Sequence, residues 1–241
     1  MKNPRIHVES DIKVGESLAL DKTASHYLGS VLRSKENDSV RIFNGDGIEY
    51  QCEVSFANKK NVTLNVISVI DGVKESPLSI HIGLGMSLGD RMEYAIQKAC
   101  ELGVTQITPL TTQRSELKLK ADKQEKKLQR WQQVAISSCE QNGRNVVPVI
   151  NSPISFEQFI QIEQDACKLV LHHRDATDIK TMEAASNIVA LIGPEGGLTQ
   201  DEIDQAIKQN YTAITMGPRI LRTETAPVVL LSVLQTLWGD F

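Results

Sequence analysis

The chain has little cysteine, few aromatic residues and no long apolar run. Its four cysteines are scattered over 241 residues without a Cys-x-x-Cys pair, which argues against a disulfide framework and favours a reducing cytoplasm. No apolar stretch approaches the roughly 20 residues of a membrane-spanning helix. The first ten residues, MKNPRIHVES, lack the apolar core of a signal peptide. We therefore expect a cytoplasmic protein.

Several common catalytic signatures are also missing. The chain has no Gly-x-Gly-x-x-Gly fingerprint, no Walker loop and no Gly-x-Ser-x-Gly motif. His172-His173 has no third ligand at a suitable spacing, so no metal is expected. Cys139 lies in a helical pattern and is expected to be a packed thiol rather than a nucleophile.

Charge is unevenly distributed along the chain. The formal net charge is −4, yet residues 91–150 carry ten Lys and Arg against six Asp and Glu. A polyanion is therefore a candidate partner for the middle of the chain. The run 118–127 taken alone is more typical of a solvated helix face than of a binding site.

The hydrophobic pattern changes near residue 71. Residues 1–71 show period-two alternation, as in 48–56, broken by turn signals such as Asn44-Gly45-Asp46-Gly47, which predicts a small β-barrel with one helix near 24–33. The polar segment 71–77 is the best linker. Residues 72–241 alternate apolar strands with amphipathic helices, which predicts a mainly parallel α/β sheet. In this part, Val104–Leu110 is expected to be a strand that ends at Pro109 or just after it, and the apolar helix 228–238 is expected to be buried.

The stretch Ile188–Ala226 combines two strand patterns that each end in Gly-Pro. We expect the strands 188–192 and 213–216 to lie side by side, so that both turns meet at the carboxyl edge of the sheet, where α/β folds bind ligands. The segment Gly193–Gly197 (GPEGG) is either a ligand-binding turn or a plain strand-to-helix turn. In Gly217–Ala226, Thr225 is a candidate helix cap, and Arg222 is suited either to an anion or to pairing with Glu224.

These residues, taken together, resemble the RsmE family of small-subunit ribosomal RNA uridine-N3 methyltransferases, in the SPOUT superfamily. The resemblance extends over essentially the whole chain. Its markers are Asn3-Pro4-Arg5-Ile6, His26 with Val31-Leu32-Arg33, Met92-Glu93, Gln97-Lys98, Glu101-Leu102-Gly103-Val104, Cys139-Glu140-Gln141 with Gly143-Arg144, LIGPEGGL at 191–198 and GPRILRTET at 217–225.

The resemblance implies a PUA-like RNA-binding barrel at 1–71 and a SPOUT methyltransferase domain at 72–241, with a deep trefoil knot at about 188–241. It also implies S-adenosylmethionine as cofactor, 16S ribosomal RNA as substrate, a location in the cytoplasm and a homodimer without membrane attachment. The implied cofactor-binding residues are Leu171, His172, Ile192, Gly193, Pro194, Gly196, Gly197, Met216, Gly217, Ile220, Leu221, Thr225 and Ala226.

Roles in chemistry follow from the same resemblance. Arg222 is the candidate that stabilises the uracil anion, and Glu224 is the candidate proton acceptor. The candidate phosphate contacts are Arg5, Arg33, Arg114, Lys118 and Arg144. Where the family commonly has a basic residue before Gly89, this chain has Leu88. The alternatives are another SPOUT enzyme acting on transfer RNA or a ribose 2′-hydroxyl, and a non-catalytic RNA-binding assembly factor.

Overall fold

The computed structural model of the chain describes residues 3–58, 60–71, 75–117, 121–162, 165–172 and 176–241. The chain folds into two compact units. The first consists of residues 1–75 and 139–147, and the second of residues 76–138 and 148–241. No helix in the described ranges combines the length and apolar character needed to cross a membrane.

The first unit is a mixed five-stranded sheet with one helix. Its elements are β1 (Arg5–His7), β2 (Ser17–Ala19), α1 (Lys22–His26) with a π-helical turn (Tyr27–Leu32), β3 (Ser39–Phe43), β4 (Glu49–Ala57) and β5 (Val62–Ile70). The strand order is β1-β3-β4-β5-β2, and only the β1–β3 pair is parallel.

The alternation predicted in 48–56 forms β4, whose inward residues pack with α1. Leu28, Val40 and Leu64 are among the fully buried members of this core. Asp21 caps α1 by accepting a hydrogen bond from the Ala24 amide. The Asn44–Gly47 turn forms as expected, with Gly45 and Gly47 both at positive φ.

The second unit is an eight-stranded sheet in which every pairing is parallel. Its elements are β6 (Ser79–Gly85), α2 (Arg91–Glu101), β7 (Gln106–Thr111), α3 (Ala121–Asn142), β8 (Val149–Ile150), β9 (Ile154–Ser155), α4 (Phe156–Ile160), β10 (Cys167–Leu171), β11 (Thr177–Asp178), a 3₁₀ turn (Ile179–Thr181), β12 (Asn187–Ile192), α5 (Gln200–Lys208), β13 (Thr212–Thr215) and α6 (Ala226–Trp238). The last turn of α3 is assigned to the first unit. The expected α/β class with a mainly parallel sheet is confirmed.

The expectation that β12 and β13 are neighbours is wrong. The strand order is β11-β13-β10-β12-β6-β7-β8, with β9 also paired to β7, so β10 lies between the two strands. The physical reason is that β10 pairs with β12 along one edge and with β13 along the other, so its ladder separates the two strands. The connecting helix does not set this order, because β6 and β7 are direct neighbours although α2 joins them. The carboxyl end of β10 is consequently placed between the two Gly-Pro turns.

The strand expected at Val104–Leu110 is β7, in which Pro109 lies opposite Leu84 and the strand ends shortly after it, at Thr111. The other edge of β7 pairs with two short strands, β8 at β7 residues 106–107 and β9 at β7 residues 110–111. Pro109 has no N–H to donate, and it falls between these two short partners. Helix α6 is buried along one side only, because Val229 and Val233 are half-buried and Leu237 is 40% exposed.

Candidate active site

A pocket of about 310 Å³ lies at the carboxyl edge of the large sheet, beyond the ends of β10, β12 and β13. Leu171 and Ile192 mark the ends of the first two of these strands, and Thr215 marks the end of the third. The turn 193–198 and the segment 216–221 form most of the remaining wall. This is the position at which open parallel sheets bind ligands.

The GPEGG turn passes very close to strand β6. A Cβ atom on Gly85 would lie 2.4 Å from the backbone N of Pro194, so no side chain fits at this position. Within the turn, the Gly197 amide donates a 2.8 Å hydrogen bond to the Pro194 carbonyl, and Gly197 has a φ of +67°. The turn leads into α5, where Thr199 and Glu202 form a capping box. The turn is therefore fixed at both ends.

Glu195 joins the GPEGG turn to the loop that follows β6. Its Oε1 accepts hydrogen bonds from the Leu88 amide, at 3.0 Å, and from Arg91 Nη1, at 2.9 Å. Burial alone would raise the pKa of the Glu195 carboxyl. Hydrogen bonds from its own backbone amide, Arg91 and the Leu88 amide outweigh burial and hold the pKa below its usual value. Glu195 is thus a carboxylate that fastens one wall of the pocket.

Thr223 fastens the other wall. Its hydroxyl donates a 2.9 Å hydrogen bond to the Gly193 carbonyl and accepts a longer, 3.4 Å bond from Ser87. Thr223 and Ser87 are both buried. Three segments, which follow β6, β12 and β13, are therefore tied to one another around the pocket.

Arg114 closes the side of the pocket next to Gly196. Its Nη1 donates a 2.9 Å hydrogen bond to the Gly196 carbonyl, and a Cβ atom on Gly196 would lie 3.1 Å from the Arg114 Cβ. Arg114 is exposed on its other side. It is both a lining residue and a cation that faces solvent.

The structure places nearly all of the residues assigned to the cofactor around this one pocket. Those that line it are Leu171, His172, Ile192, Gly193, Pro194, Gly196, Gly197, Met216, Gly217, Ile220, Leu221 and Ala226. Thr225 does not line the pocket. It occupies the N-cap position of α6, but its side chain makes no capping hydrogen bond, which corrects the expected cap. Pro227, which has no N–H, occupies the first turn and leaves fewer donors to satisfy.

Several lining residues were not singled out from the sequence. They are Arg114 as a pocket residue, Glu195, Leu198, Ile203, Ile214, Thr215, Arg219 and Thr223. Glu195 lies within the GPEGG motif and Thr223 within the RTET motif, so the motifs themselves were the available signal. No local pattern indicated that Arg114 reaches Gly196, because the two residues are distant in sequence.

The two residues assigned to catalysis lie beside the pocket and not in its lining. Arg222 is exposed and Glu224 is half-buried. The ion pairs of the described residues do not include one between Arg222 and Glu224. The Arg222 carbonyl accepts 2.9 Å hydrogen bonds from the amides of Thr225 and Ala226, which fixes the backbone of Arg222 at the start of α6.

The residues assigned to RNA phosphates fall into different environments. Arg33 is exposed and has a φ of +56°. Arg144 is buried and Arg5 is half-buried, with a side chain that is 9% exposed; both belong to the first unit, where Arg5 pairs with Glu49 at 2.6 Å and Arg144 pairs with Glu75 at 2.8 Å. Lys118 lies outside the described residues.

Cys139 is fully buried in the first unit. Burial raises the pKa of its thiol to about 11, so the thiolate is not available at neutral pH. This agrees with the prediction of a packed thiol.

Comparison with known proteins places this geometry in a family. Residues 74–235 match the RNA methyltransferase domain model, and residues 20–67 match the RNA methyltransferase PUA domain model. Ribosomal RNA small subunit methyltransferase E from Buchnera aphidicola of Acyrthosiphon pisum is 36% identical over 242 residues, which covers 100% of this chain and 96% of that protein.

Two solved structures agree with the whole chain. A methyltransferase from Legionella pneumophila, in complex with S-adenosylmethionine, superposes with a TM-score of 0.96 at 36% identity, and coverage is 100% of both chains. Ribosomal RNA small subunit methyltransferase E from Neisseria gonorrhoeae, bound to S-adenosyl methionine, gives a TM-score of 0.94 at 34% identity, again with 100% coverage of both chains. The chain therefore belongs to the RNA methyltransferase family that contains ribosomal RNA small subunit methyltransferase E, the RsmE family indicated by its motifs.

Proposed function

We propose that this protein transfers the methyl group of S-adenosylmethionine to N3 of uracil, at one specific uridine of 16S ribosomal RNA in the small ribosomal subunit. The observation that carries this proposal is the pocket walled by GPEGG and GPRILRTETA. It occurs in a chain that matches two S-adenosylmethionine-bound proteins over its full length. The name of the Neisseria protein supplies the substrate class.

The residues around the pocket fit this cofactor. The volume of about 310 Å³ is at the lower end of the range of roughly 300–1,000 Å³ typical of small-molecule sites. Leu171, Ile192, Ile214 and Leu221 offer apolar surface for a heterocycle, and the glycine-rich turns bring backbone polar groups close to it. When bound, S-adenosylmethionine supplies an electrophilic methyl group on a sulfonium centre.

In this proposal the cofactor is held mainly by the backbone. We assign main-chain groups at Ile192, Gly197, Met216 and Leu221 to the adenine and ribose. The hydrogen bonds of Glu195 and Thr223 keep these segments in place before the cofactor binds. Most of the rate enhancement then comes from positioning, because the walls hold the reacting groups in line.

The chemistry at uracil requires loss of the N3 proton. Arg222 is assigned to stabilise the resulting anion through its fixed set of donors, and Glu224 is assigned as the proton acceptor. Arg219 is the competing candidate, because it lines the pocket and Arg222 does not. Both arginines are exposed and are therefore accessible to an incoming RNA base.

Two single substitutions separate these arginines. We expect Arg222→Ala to lower the rate of methyl transfer about a hundredfold or more while the affinity for S-adenosylmethionine stays close to that of wild type. Arg219→Ala is the matched control, with a smaller effect on the rate. Transfer at the wild-type rate by the Arg222→Ala protein, or a greater loss with Arg219→Ala, would remove the assignment to Arg222.

The fold-level part of the proposal follows the family. Residues 1–71 form a PUA-like RNA-binding barrel, and residues 72–241 form a SPOUT domain with a deep trefoil knot at about 188–241. The protein acts as a homodimer in the cytoplasm, where ribosomal subunits are assembled. The half-exposed apolar side of α6, with Val229, Val233 and Leu237, supports a partner subunit at that helix.

Phosphate contacts are proposed for the cations that retain free donors towards solvent. Arg33 in the first unit and Arg114 beside the pocket meet this condition. Lys118 remains a candidate from its sequence alone. Arg5 and Arg144 are weaker candidates for phosphate contacts, because their guanidinium groups donate to acceptors within the protein.

The proposed function is tested by methylation of isolated small subunits and of naked 16S ribosomal RNA, with the product nucleoside identified by mass spectrometry. We expect 3-methyluridine at a single position. A methyl group on a ribose 2′-hydroxyl, or on transfer RNA only, would favour another SPOUT activity. Failure to bind S-adenosylmethionine in calorimetry would favour a non-catalytic RNA-binding factor.

A further inference from the structure

Ile220 is an isoleucine presented to solvent at the mouth of the pocket. Its side chain is 83% exposed, the highest exposure among the large hydrophobic residues that the structure describes as exposed. A single exposed apolar residue is ordinary on a protein surface. Ile220 differs because it also lines the pocket in which the methyl donor is proposed to bind.

The segment that carries Ile220 projects from two fixed points. Residues 217–220 are all exposed, whereas Ile214 before them and Thr223 after them are buried. The Thr215 hydroxyl donates a 3.1 Å hydrogen bond to the Gly217 carbonyl, and the Thr223 hydroxyl donates a 2.9 Å bond to the Gly193 carbonyl. A projection tied at both ends presents its side chain at little cost in conformational entropy.

The charges next to Ile220 indicate what kind of partner faces it. Arg219 precedes it, Arg222 follows two residues later, and both are exposed. Neither forms an ion pair within the described part of the chain. An apolar tip between two unpaired cations is suited to a polyanion with an apolar interior, and a nucleic acid strand with stacked bases has this character.

The proposed reaction creates a need for such a residue. Uracil N3 is enclosed by neighbouring bases or by pairing in structured RNA, so the base must leave its stack to reach the pocket, which costs free energy. Proteins that open a base stack frequently insert an apolar side chain, isoleucine among them. Ile220 both lines the pocket and is exposed, so its side chain is available to an RNA strand that approaches the pocket.

We propose that the Ile220 side chain acts as a wedge, entering the RNA stack beside the target uridine and occupying the place that the uracil leaves. This inference rests on the proposed function. It assigns to the Ile220 side chain a contact with RNA, in addition to the place of the residue in the pocket lining. The residue is an aid to unstacking and takes no part in proton or methyl transfer.

The test compares Ile220→Ala, Ile220→Leu and Ile220→Gln with wild type on naked 16S ribosomal RNA. We expect Ile220→Ala to lower kcat/KM for RNA by about ten- to a hundredfold, since the unstacking cost is no longer offset. Ile220→Leu should remain within about threefold of wild type, because leucine is also an effective wedge. Ile220→Gln, similar in size but polar, should resemble the alanine variant.

A control variant and a cofactor measurement separate the wedge from other roles. Ile207→Ala removes an isoleucine that is 48% exposed on α5 and does not line the pocket, and it should leave kcat/KM unchanged. The affinity of Ile220→Ala for S-adenosylmethionine in calorimetry should stay within about threefold of wild type, because Ile220 lines the pocket but is 83% exposed to solvent. A loss of cofactor affinity that matches the loss of activity, or a change of oligomeric state in Ile220→Ala, would overturn the proposal.

A direct readout uses 2-aminopurine next to the methylated uridine, in an RNA fragment that the wild-type protein methylates. We expect the fluorescence to rise on binding of wild type and to rise much less with Ile220→Ala at saturation. Equal increases with both proteins would contradict the wedge. If wild type forms a methylated nucleoside other than 3-methyluridine, the proposed function fails while the wedge is still judged by the same variants. If wild type methylates no RNA, both proposals fail.

Discussion

Arg5 is a half-buried cation whose donors are used within the first unit. Its Nε donates to Glu49, its Nη2 donates to the Gly143 and Arg144 carbonyls at 3.1 and 2.8 Å, and its guanidinium lies 4.0 Å from the centre of the Phe43 ring. Further hydrogen bonds reach the Cys139 carbonyl and the Asn145 side chain. Only the planar fork of arginine supplies donors in so many directions.

We therefore expect Arg5→Lys to lower the free energy of unfolding by about 2–3 kcal/mol, because several carbonyls lose their donor at once. Urea denaturation measures this change. Arg33→Lys is the matched control on an exposed arginine, with an expected change within about 0.5 kcal/mol. Equal stability of Arg5→Lys and wild type would show that the buried contacts contribute little, and would return Arg5 to the candidates for RNA.

The contribution of Glu195 to the free energy of unfolding depends on pH. Because its pKa is lower in the folded protein than in the unfolded chain, the stabilisation is present above the unfolded value, near 4.5, and is lost as the pH falls through the folded pKa. We expect Glu195→Gln to lower the free energy of unfolding by about 1–2 kcal/mol at pH 7, because at this pH Arg91 and the Leu88 amide donate their hydrogen bonds to a charged carboxylate. The difference from wild type should shrink at pH values below the folded pKa.

Denaturation at neutral and acidic pH checks this prediction. Glu93→Gln is the control, since the Glu93–Arg130 pair is formed at 2.8 Å by an arginine side chain that is 61% exposed. Such a pair is worth about 0–1 kcal/mol. A Glu195→Gln effect that stayed constant with pH would mean that the carboxylate charge is not what stabilises the turn.

At the scale of the element, strand β6 is shaped by the turn beside it. A methyl group on Gly85 would meet the backbone of Pro194 and Gly193, whereas a methyl group on Gly83 would meet the side chains of Phe159 and Leu110. The backbone of Gly193 and Pro194 can make room for a methyl group on Gly85 only if the GPEGG turn itself moves. We expect both Gly85→Ala and Gly83→Ala to lose stability, by about 1–3 kcal/mol as for other overpacked sites.

Cofactor affinity separates the two variants. Gly85→Ala displaces the pocket wall, so we expect its affinity for S-adenosylmethionine to fall at least about tenfold, which corresponds to 1.4 kcal/mol. Gly83→Ala disturbs only core side chains and should bind within about threefold of wild type. Calorimetry on the folded fraction of each variant measures the difference, and equal losses in the two would argue against a wall set by Gly85.

The elements differ in how far local chemistry determines them. The capping boxes at Ser155 and Thr199 follow from the local sequence, because each depends on residues within one turn. The order of β13, β10 and β12 and the place of Pro109 depend on which strands become neighbours, and no local pattern states that. Likewise, the motifs located the walls of the pocket, but the contact of Arg114 with Gly196 exists only once distant segments meet.

At the scale of the whole molecule, the net charge of −4 opposes binding to RNA, whereas the surplus of four positive charges over residues 91–150 favours it. Binding then depends on a limited set of phosphate contacts, and each contact releases counterions from the RNA. For single-stranded RNA the slope of log affinity against log salt is about −0.7 per contact. With about four contacts, we expect affinity for a ribosomal RNA fragment to fall roughly fiftyfold between 50 and 200 mM salt.

Charge-neutralising variants show which cations contribute to this slope. Arg33→Gln should make the slope shallower by about 0.7 and weaken binding to all RNA sequences alike, because a phosphate contact carries no sequence information. Lys208→Gln removes an exposed lysine from the acidic part of the chain, 151–241, and should leave the slope unchanged. Fluorescence titrations at four salt concentrations measure both variants. An unchanged slope of log affinity against log salt in Arg33→Gln would exclude Arg33 from the RNA contacts. A slope near zero in wild type would mean that apolar contacts, such as that of Ile220, dominate binding rather than phosphate contacts.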